Sequence, residues 1–180
     1  IYTIEELKKH QSLLNDKQKI GLAYYHDILK RIPRKEINVY DKIFREIYGE
    51  NMEIVGSYRR NKPDSGDIDV ILTGTSDEYI DFIDTLIDRK IILEVMFTKH
   101  KELAFALLYF TGSKEFNTNM RERALRMGYT LNEHGFSKME GRKKGAKIDK
   151  VFPSEGAIFE FLQMKYKAPH ERTENAIEDK

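Results

Sequence analysis

The segment GSYRRNKPDSGDIDV, residues 56–70, decides the fold and the chemistry expected of this chain. It overlaps MEIVGSY (52–58) and DIDVILT (67–73), two short runs rich in β-branched side chains, which is typical of paired strands. Asp67 and Asp69 are two residues apart on the second predicted strand, so both carboxylates should leave the same face of the sheet. The sequence therefore predicts two like charges fixed side by side.

Two neighbouring carboxylates repel each other unless a cation lies between them. Mg²⁺ is a hard cation that prefers oxygen ligands and is commonly shared with substrate phosphates. Two such ions, about 3.5–4 Å apart, can activate a hydroxyl nucleophile and stabilise the leaving oxygen of an in-line displacement. We therefore expect Asp67 and Asp69 to be metal ligands. An EF-hand over 64–75 is excluded because an apolar run occupies its ligand positions.

The residues before the acidic pair are suited to phosphate. Gly56 and Ser57 are expected at the end of the preceding strand, where backbone N–H groups and a hydroxyl can approach phosphate oxygens. Arg59 and Arg60 carry guanidinium groups that bind such oxygens bidentately. Only one of the two needs to face the site, because neighbours on an extended chain diverge. Gly66 permits a tight backbone beside a bulky substrate.

The rest of the chain alternates helices with a few strands. Asp16 is expected to cap a helix reaching Leu29, and a second helix ends at Gly49. Further helices are predicted at 77–88, 101–109, 115–127 and after Ser154, with a third strand at 91–97, a mixed β and loop stretch at 129–152 and a frayed tail after Pro169. This order of elements predicts a fold of the α+β class. The predicted subdomains are a helical part at 1–50, a catalytic palm at 51–111 and a C-terminal part at 112–180.

Composition excludes several classes of site. The 180 residues carry a net charge of +1, which does not by itself point to nucleic acid, and there is no cysteine for a disulfide, thiolate zinc site or thiol nucleophile. No apolar run approaches the roughly 20 residues that span a bilayer. The spacing of Asp77, Asp81, Asp84 and Asp88 indicates the solvent-exposed face of an amphipathic helix. The basic segment GRKKGAK (141–147) is read as a charged loop able to contact DNA phosphate.

The pattern G-S-x-R-R, a short loop and G-D-x-D-V resembles the nucleotidyltransferase signature, and its form here is similar to that of family X DNA polymerases, the polymerase beta-like enzymes. Four further segments match family blocks in order: DKQKIGLAYYHDILKRIPRKE, LLYFTGSKEFNTNMRERAL, GYTLNEHG and IFEFLQMKYKAPHER. The resemblance therefore extends over nearly all of the chain. It implies that a primer 3′-hydroxyl attacks a dNTP and releases pyrophosphate, in short-gap filling during base excision DNA repair.

The resemblance also implies roles for individual residues. Asp67 and Asp69 would bind two Mg²⁺ ions, with Mn²⁺ able to substitute. The incoming nucleotide would contact Arg31, Gly56, Ser57, Arg60, Gly66, Tyr109, Phe110, Gly112 and Asn117. Arg121 would contact the template side, and Glu133 and Tyr166 would tether Arg121. Lys114 occupies a place where the beta form of the family carries an acid. The expected partners are gapped or primer–template DNA and a dNTP but no membrane, for a monomer located in the nucleus.

The third metal-binding carboxylate leaves two readings open. Counting back from YFTGS without gaps puts Glu94 at the family's position for it, one methylene longer than usual. However, the segment from Arg89 to Phe97 is short for the family. The second reading, which we favour on sequence alone, is therefore that the acid-bearing strand is missing here.

Two rival functions are also considered. One is template-independent addition, as in terminal transferases, and the other is a catalytically impaired protein that binds DNA ends.

Overall fold

The computed structural model of the chain describes residues 3–91, 94–141, 143–173 and 176–179, apart from the side chains of Ile28 and Glu94. Helices and strands alternate, which confirms the α+β class. The helices are α1 Ile4–Lys9, α2 Asp16–Ala23, α3 Tyr25–Ile28, α4 Arg34–Tyr48, α5 Gly56–Arg59, α6 Ser76–Asp88, α7 Leu103–Thr111, α8 Lys114–Arg126 and α9 Glu155–Phe161. The strands are β1 Ile32–Pro33, β2 Met52–Ile54, β3 Asp64–Ser65, β4 Asp69–Leu72, β5 Glu94–Phe97, β6 Tyr129–Asn132, β7 Gly135–Glu140 and β8 Lys143–Lys147.

A central sheet has the strand order β2-β4-β5. β4 pairs with β2, as predicted, and this pair is antiparallel. β4 also pairs in parallel with β5, with α6 as the crossover between the parallel strands. Val70 and Leu72 of β4 point to one face, where they pack against α4 and α6. The amphipathic pattern of α4 explains this contact, because Ile37 and Phe44 lie on the face that becomes fully buried.

The opposite face of the central sheet carries Asp69 and Ile71. Ile71 packs there against Val55 and against Ala106 of α7. α7 is apolar on nearly all sides, with Ala104, Phe105, Ala106, Leu108 and Thr111 buried. Such a helix is stable only when it is covered on several sides. It is covered here because it lies between the central sheet and the C-terminal subdomain.

The C-terminal subdomain consists of the antiparallel sheet β6-β7-β8 with α8 and α9 packed against it. Aromatic rings fill its core, among them Phe105, Phe116, Phe136, Phe152 and Phe159. Ser154 caps α9 as predicted. The prediction of a frayed tail after Pro169 was wrong within the described residues. Arg172 is only 2% exposed, Ala176 belongs to the core, and Met164 forms a β-bridge with Asp179.

Three local predictions were also wrong. Asn15, rather than Asp16, caps α2, because Asn15 and Gln18 exchange side-chain and backbone hydrogen bonds of 2.9 and 3.0 Å in a capping box. The predicted helix to Leu29 is broken at Tyr24. The strand predicted over 52–58 ends at Ile54, since Gly56 adopts φ +61° and begins the short helix α5.

The predicted subdomain boundaries remain predictions. α4 lies within the predicted helical part at 1–50, but Ile37 and Phe44 share a core with the strands of the predicted palm.

Asp67 precedes β4, so the prediction that Asp67 lies on this strand was wrong. Among the described helices, none has the length and apolar character needed to cross a bilayer.

Candidate active site

A cavity of about 700 Å³ opens between α5, the loop before β4, the end of α7 and the first turns of α8. It brings together the acidic pair, Arg121 and every residue that the sequence predicted to contact a nucleotide. Its lining is Arg31, Gly56, Ser57, Arg60, Gly66, Asp67, Asp69, Tyr109, Phe110, Gly112, Lys114, Asn117, Thr118 and Arg121. These residues come from positions 31 to 121, so the fold, rather than one segment, assembles the cavity.

The acidic pair lies on the floor of this cavity. Asp69 begins β4, and Asp67 is exposed in the loop just before it. Gly56 approaches Asp69 so closely that a Cβ at position 56 would lie 2.8 Å from Asp69 Oδ2. Only glycine tolerates both this contact and the positive φ of +61°. The described side chains contain no group of three metal-ligating residues, and the side chain of Glu94 is outside that part of the structure.

Arg60 lies at the border between the acidic pair and the C-terminal subdomain. Its Nη1 donates a hydrogen bond to the carbonyl oxygen of Thr111, at the end of α7. Gly112 follows with φ +67°, and a Cβ there would be 3.1 Å from Arg60 Nη1. Burial lowers the pKa of Arg60 from its usual value, while the charges of Glu115 and Asp69 act in the opposite direction. Arg60 lines the cavity, and an arginine side chain is effectively always protonated in proteins.

Arg59 points away from the cavity. Its Nη1 donates to Thr111 Oγ1 at 2.7 Å, and its two terminal nitrogens donate to Glu155 Oε1 and Oε2 at 3.0 and 2.8 Å. The prediction that only one of the two arginines faces the site is therefore confirmed. The reason given for it was wrong, because Arg59 and Arg60 diverge at the end of a helical turn rather than on an extended strand.

Glu155 joins Arg59 to the C-terminal tail. Its Oε1 also accepts a hydrogen bond of 2.6 Å from Nη1 of Arg172, whose side chain is fully buried. Burial tends to raise the pKa of Glu155, but hydrogen bonds from Arg59 and Arg172 hold that pKa below its usual value. Nη2 of Arg172 has no hydrogen-bond partner within the described part of the chain. Sequence reasoning missed this network because its members are 96 and 17 residues apart.

One face of α8 forms the wall above the aromatic residues. Lys114, Asn117, Thr118 and Arg121 have the spacing of neighbours on a helix surface, and all four line the cavity. Asn117 Nδ2 donates to the carbonyl oxygen of Tyr109 at 2.6 Å, and the Arg121 guanidinium lies 4.8 Å from the centre of the Tyr109 ring. Thr118 was not predicted, although its spacing from Lys114 and Arg121 would have identified it.

The remaining predicted residues divide between the rim and the outside of the cavity. Arg31 is held at the rim by Asp64, with Nε to Oδ1 at 2.8 Å, and Ser57 Oγ donates to Ser65 Oγ at 2.7 Å. Glu133 and Tyr166 lie outside the cavity, and no hydrogen bond or ion pair joins either to Arg121 among the described contacts. Tyr166 is 52% exposed and packs against Phe159, with 5.1 Å between ring centres.

Comparisons with known proteins agree with this geometry. The family model described as DNA polymerase beta palm matches residues 31–124, and the one described as DNA polymerase beta thumb matches residues 106–173. DNA polymerase lambda from Rattus norvegicus is 30% identical over 94% of this chain, which spans 38% of that protein's length. The crystal structure of Leishmania infantum polymerase beta in a ternary P/T complex superposes with a TM-score of 0.80 and 28% identity, over 96% of this chain and 89% of that one. The crystal structure of the same protein in a ternary gap complex superposes with a TM-score of 0.79 and 27% identity, over 96% of this chain and 81% of that one.

Proposed function

This chain belongs to the family X DNA polymerases, and from that premise we propose that it is a DNA-directed DNA polymerase that adds dNMP units to a primer 3′-hydroxyl. The observation that carries the proposal is the single cavity that holds two aspartates, three arginines and an aromatic wall. The two Leishmania infantum structures are ternary P/T and gap complexes. They support gapped or primer–template DNA and a dNTP as partners here, in short-gap filling during DNA repair.

Divalent metal ions are general to the family, and we propose two Mg²⁺ ions for this chain, with Mn²⁺ able to replace them. The residues present fit such ions, because Asp67 and Asp69 supply hard oxygen donors and Gly56 keeps the space beside Asp69 Oδ2 clear. When bound, the ions would neutralise phosphate charge and make the primer hydroxyl a better nucleophile.

The other residues of the cavity would bind and orient the nucleotide. Arg60 would hold the triphosphate with Ser57 and the backbone at Gly56 and Gly66, and Arg31 would reach the terminal phosphate from the rim. Tyr109, Phe110 and the Gly112 backbone would lie under the sugar and exclude a ribose 2′-hydroxyl by size. Asn117 would face the minor-groove edge of the new base, and Arg121 the template. Most of the rate enhancement in this type of transfer comes from positioning and charge neutralisation. Roles for Glu133 and Tyr166 in tethering Arg121 remain predictions.

We propose Glu94 as the third carboxylate. β5 pairs in parallel with β4, and the register puts Glu94 opposite Asp69. This register partner of Asp69 supports the first of the two readings made from the sequence. That carboxylate would hold the catalytic metal with Asp67 and Asp69 and accept the proton of the primer hydroxyl.

Glu94→Gln should lower the rate of nucleotide addition by about 10²- to 10⁴-fold, because the amide retains the size of the residue but cannot act as a base. The measurement is single-turnover primer extension. Glu122→Gln, on the exposed side of α8, is the matched control and should extend primers at the wild-type rate. Full activity of Glu94→Gln would instead favour a missing acid-bearing strand.

Gly56→Ala should reduce nucleotide addition by about 10²-fold, because an added Cβ displaces the Asp69 carboxylate from its position. Gly21 is the control, since it lies in α2, where an added Cβ would meet no atom within 4 Å. Gly21→Ala should leave the rate unchanged and slightly raise the melting temperature. A Gly56→Ala variant with wild-type kinetics would contradict the proposed arrangement at Asp69.

Primer extension on gapped, templated and single-stranded DNA tests the proposed function. Extension that follows the template base supports it. Addition to a single strand without a template would favour terminal transferase-like activity, and DNA binding without any addition would favour an impaired end-binding protein. The monomeric state and the nuclear location remain predictions.

A further inference from the structure

A second groove, of about 190 Å³, lies between the start of α7 and the C-terminal sheet. We call it the basic groove and define it by Lys101, His134, Lys147 and Lys150 around its opening. Its floor is formed by the buried rings of Phe105, Phe136 and Phe152. The groove includes the last residue of the GRKKGAK segment, which has no role in the nucleotide cavity.

The lysines of the basic groove differ in how they are held. Lys147 is fixed, because its Nζ lies 2.7 Å from Glu102 Oε1, and the other oxygen of Glu102 is 2.9 Å from His134 Nδ1. Lys101 and Lys150 are exposed, and neither forms an ion pair within the described ranges. Lys150 Nζ instead lies 5.4 and 5.1 Å from the ring centres of Phe152 and Phe161, which orients the ammonium without neutralising it.

The basic groove and the active-site cavity are neighbours along α7. A narrow apolar cleft lies between them and shares Tyr109, Asn117 and Arg121 with the cavity. The same cleft shares Phe105 with the basic groove. Phe105 and Tyr109 are one helical turn apart on α7, about 6 Å. The groove and the cavity therefore border adjacent turns of α7, and each shares residues with the cleft that contains Arg121.

We propose that the basic groove binds phosphates of the unpaired template strand beyond the active site. This rests on the proposed function, in which Arg121 faces the template. The lining carries three lysines, Lys101, Lys147 and Lys150, against one carboxylate, Asp149, so its charge favours an anion. The small volume admits the backbone of one strand but not a duplex. Lys101 and Lys150 bind the phosphates, and the Glu102 contacts to His134 and Lys147 hold the groove's opening in shape.

The test measures, by fluorescence anisotropy, how tightly the whole chain binds labelled primer–templates. The template overhang is one or eight nucleotides long, and neither dNTP nor divalent metal is present. The wild-type chain should bind the longer overhang more tightly. Two added phosphate contacts on a single strand predict that this advantage falls about sevenfold between 50 and 200 mM salt. The double variant Lys101→Ala with Lys150→Ala should lose both the advantage and its salt dependence.

The matched control is Lys143→Ala with Lys144→Ala, which removes two exposed lysines of β8 that do not line the groove. It should keep the overhang advantage. The proposal would be overturned if both double variants lost the overhang advantage equally. It would also be overturned if the variant with Lys101→Ala and Lys150→Ala kept the same overhang advantage as the wild-type chain. So would a polyglutamate peptide that binds as tightly with the same dependence on Lys101 and Lys150, since that result assigns the groove to an acidic protein.

Primer extension on the one-nucleotide overhang separates the two proposals. A chain that extends this primer but shows no overhang advantage refutes the groove and keeps the polymerase. A chain that shows the advantage but extends no primer refutes the polymerase activity and keeps the groove as a binding site for single-stranded DNA.

Discussion

Asp69→Ala is expected to lower nucleotide addition by about 10³-fold or more, which corresponds to about 4 kcal/mol of transition-state stabilisation. Asp69 lies at the start of β4, against Gly56, where its carboxylate faces the cavity. Removal of this carboxylate takes away a ligand of the proposed metal ions, which neutralise charge on the transferred phosphoryl group. The measurement is single-turnover extension of a gapped primer with saturating dNTP.

DNA affinity distinguishes a catalytic effect of Asp69→Ala from loss of the fold. The variant should bind gapped DNA with nearly wild-type affinity, because phosphate contacts by cations dominate that affinity. Asp84→Ala removes an exposed carboxylate from α6 and serves as the matched control, with wild-type extension expected. Retained extension by Asp69→Ala would count against the proposed function.

Glu155→Ala should have the largest effect on stability, with a decrease of about 3–5 kcal/mol in the free energy of unfolding. It removes the carboxylate that joins two arginines, Arg59 at the end of α5 and the fully buried Arg172. The buried Arg172 guanidinium would then lose its carboxylate partner, and Arg59 would keep only the longer ion pair with Glu53, at 3.5 Å. The measurement is denaturant unfolding, compared with Glu122→Ala on the exposed side of α8, which should change stability by less than about 0.5 kcal/mol.

Acid sensitivity gives an independent readout of the same network. The folded-state pKa of Glu155 is below its usual value, so its ion pairs stabilise the folded chain above the ordinary carboxyl range. That stabilisation is lost as the pH falls through the folded-state pKa. Glu155→Gln should therefore show a weaker dependence of stability on pH in the acid range than the wild-type chain. Equal acid profiles would mean that Glu155 does not contribute through its charge.

The cavity could be predicted from the sequence because its residues lie in short segments whose local chemistry is distinctive. Asp67 and Asp69 were recognisable by their spacing, and Gly56 by its place beside Ser57, a serine that was predicted to bind phosphate. Thr118 was missed because a threonine on a helix carries no chemical signal of its own, and only its spacing from Lys114 and Arg121 could have identified it. The structure places it in the cavity wall, because α8 presents one face to the cavity.

The errors have a common physical origin in contacts between distant segments. The tail was predicted to fray because its composition is polar, yet Arg172 is buried by a partner at Glu155 and by the rings of Phe116 and Phe159. The strand over 52–58 was predicted from β-branched residues, but its end is set by the close approach of Gly56 to Asp69. Local propensity contains neither kind of information.

The position of α6 concentrates exposed acidic residues on one side of the nearly neutral chain. This helix packs on the Val70 and Leu72 face of the central sheet, and its outer side exposes Asp77, Asp81, Asp84 and Asp88. The Asp69 face and the lysines of the C-terminal sheet lie on the other side. The exposed carboxylates of α6 should therefore disfavour the approach of a polyanion from that side and favour its approach to the cavity. Productive encounters should become less frequent as ionic strength rises, even though the net charge is only +1.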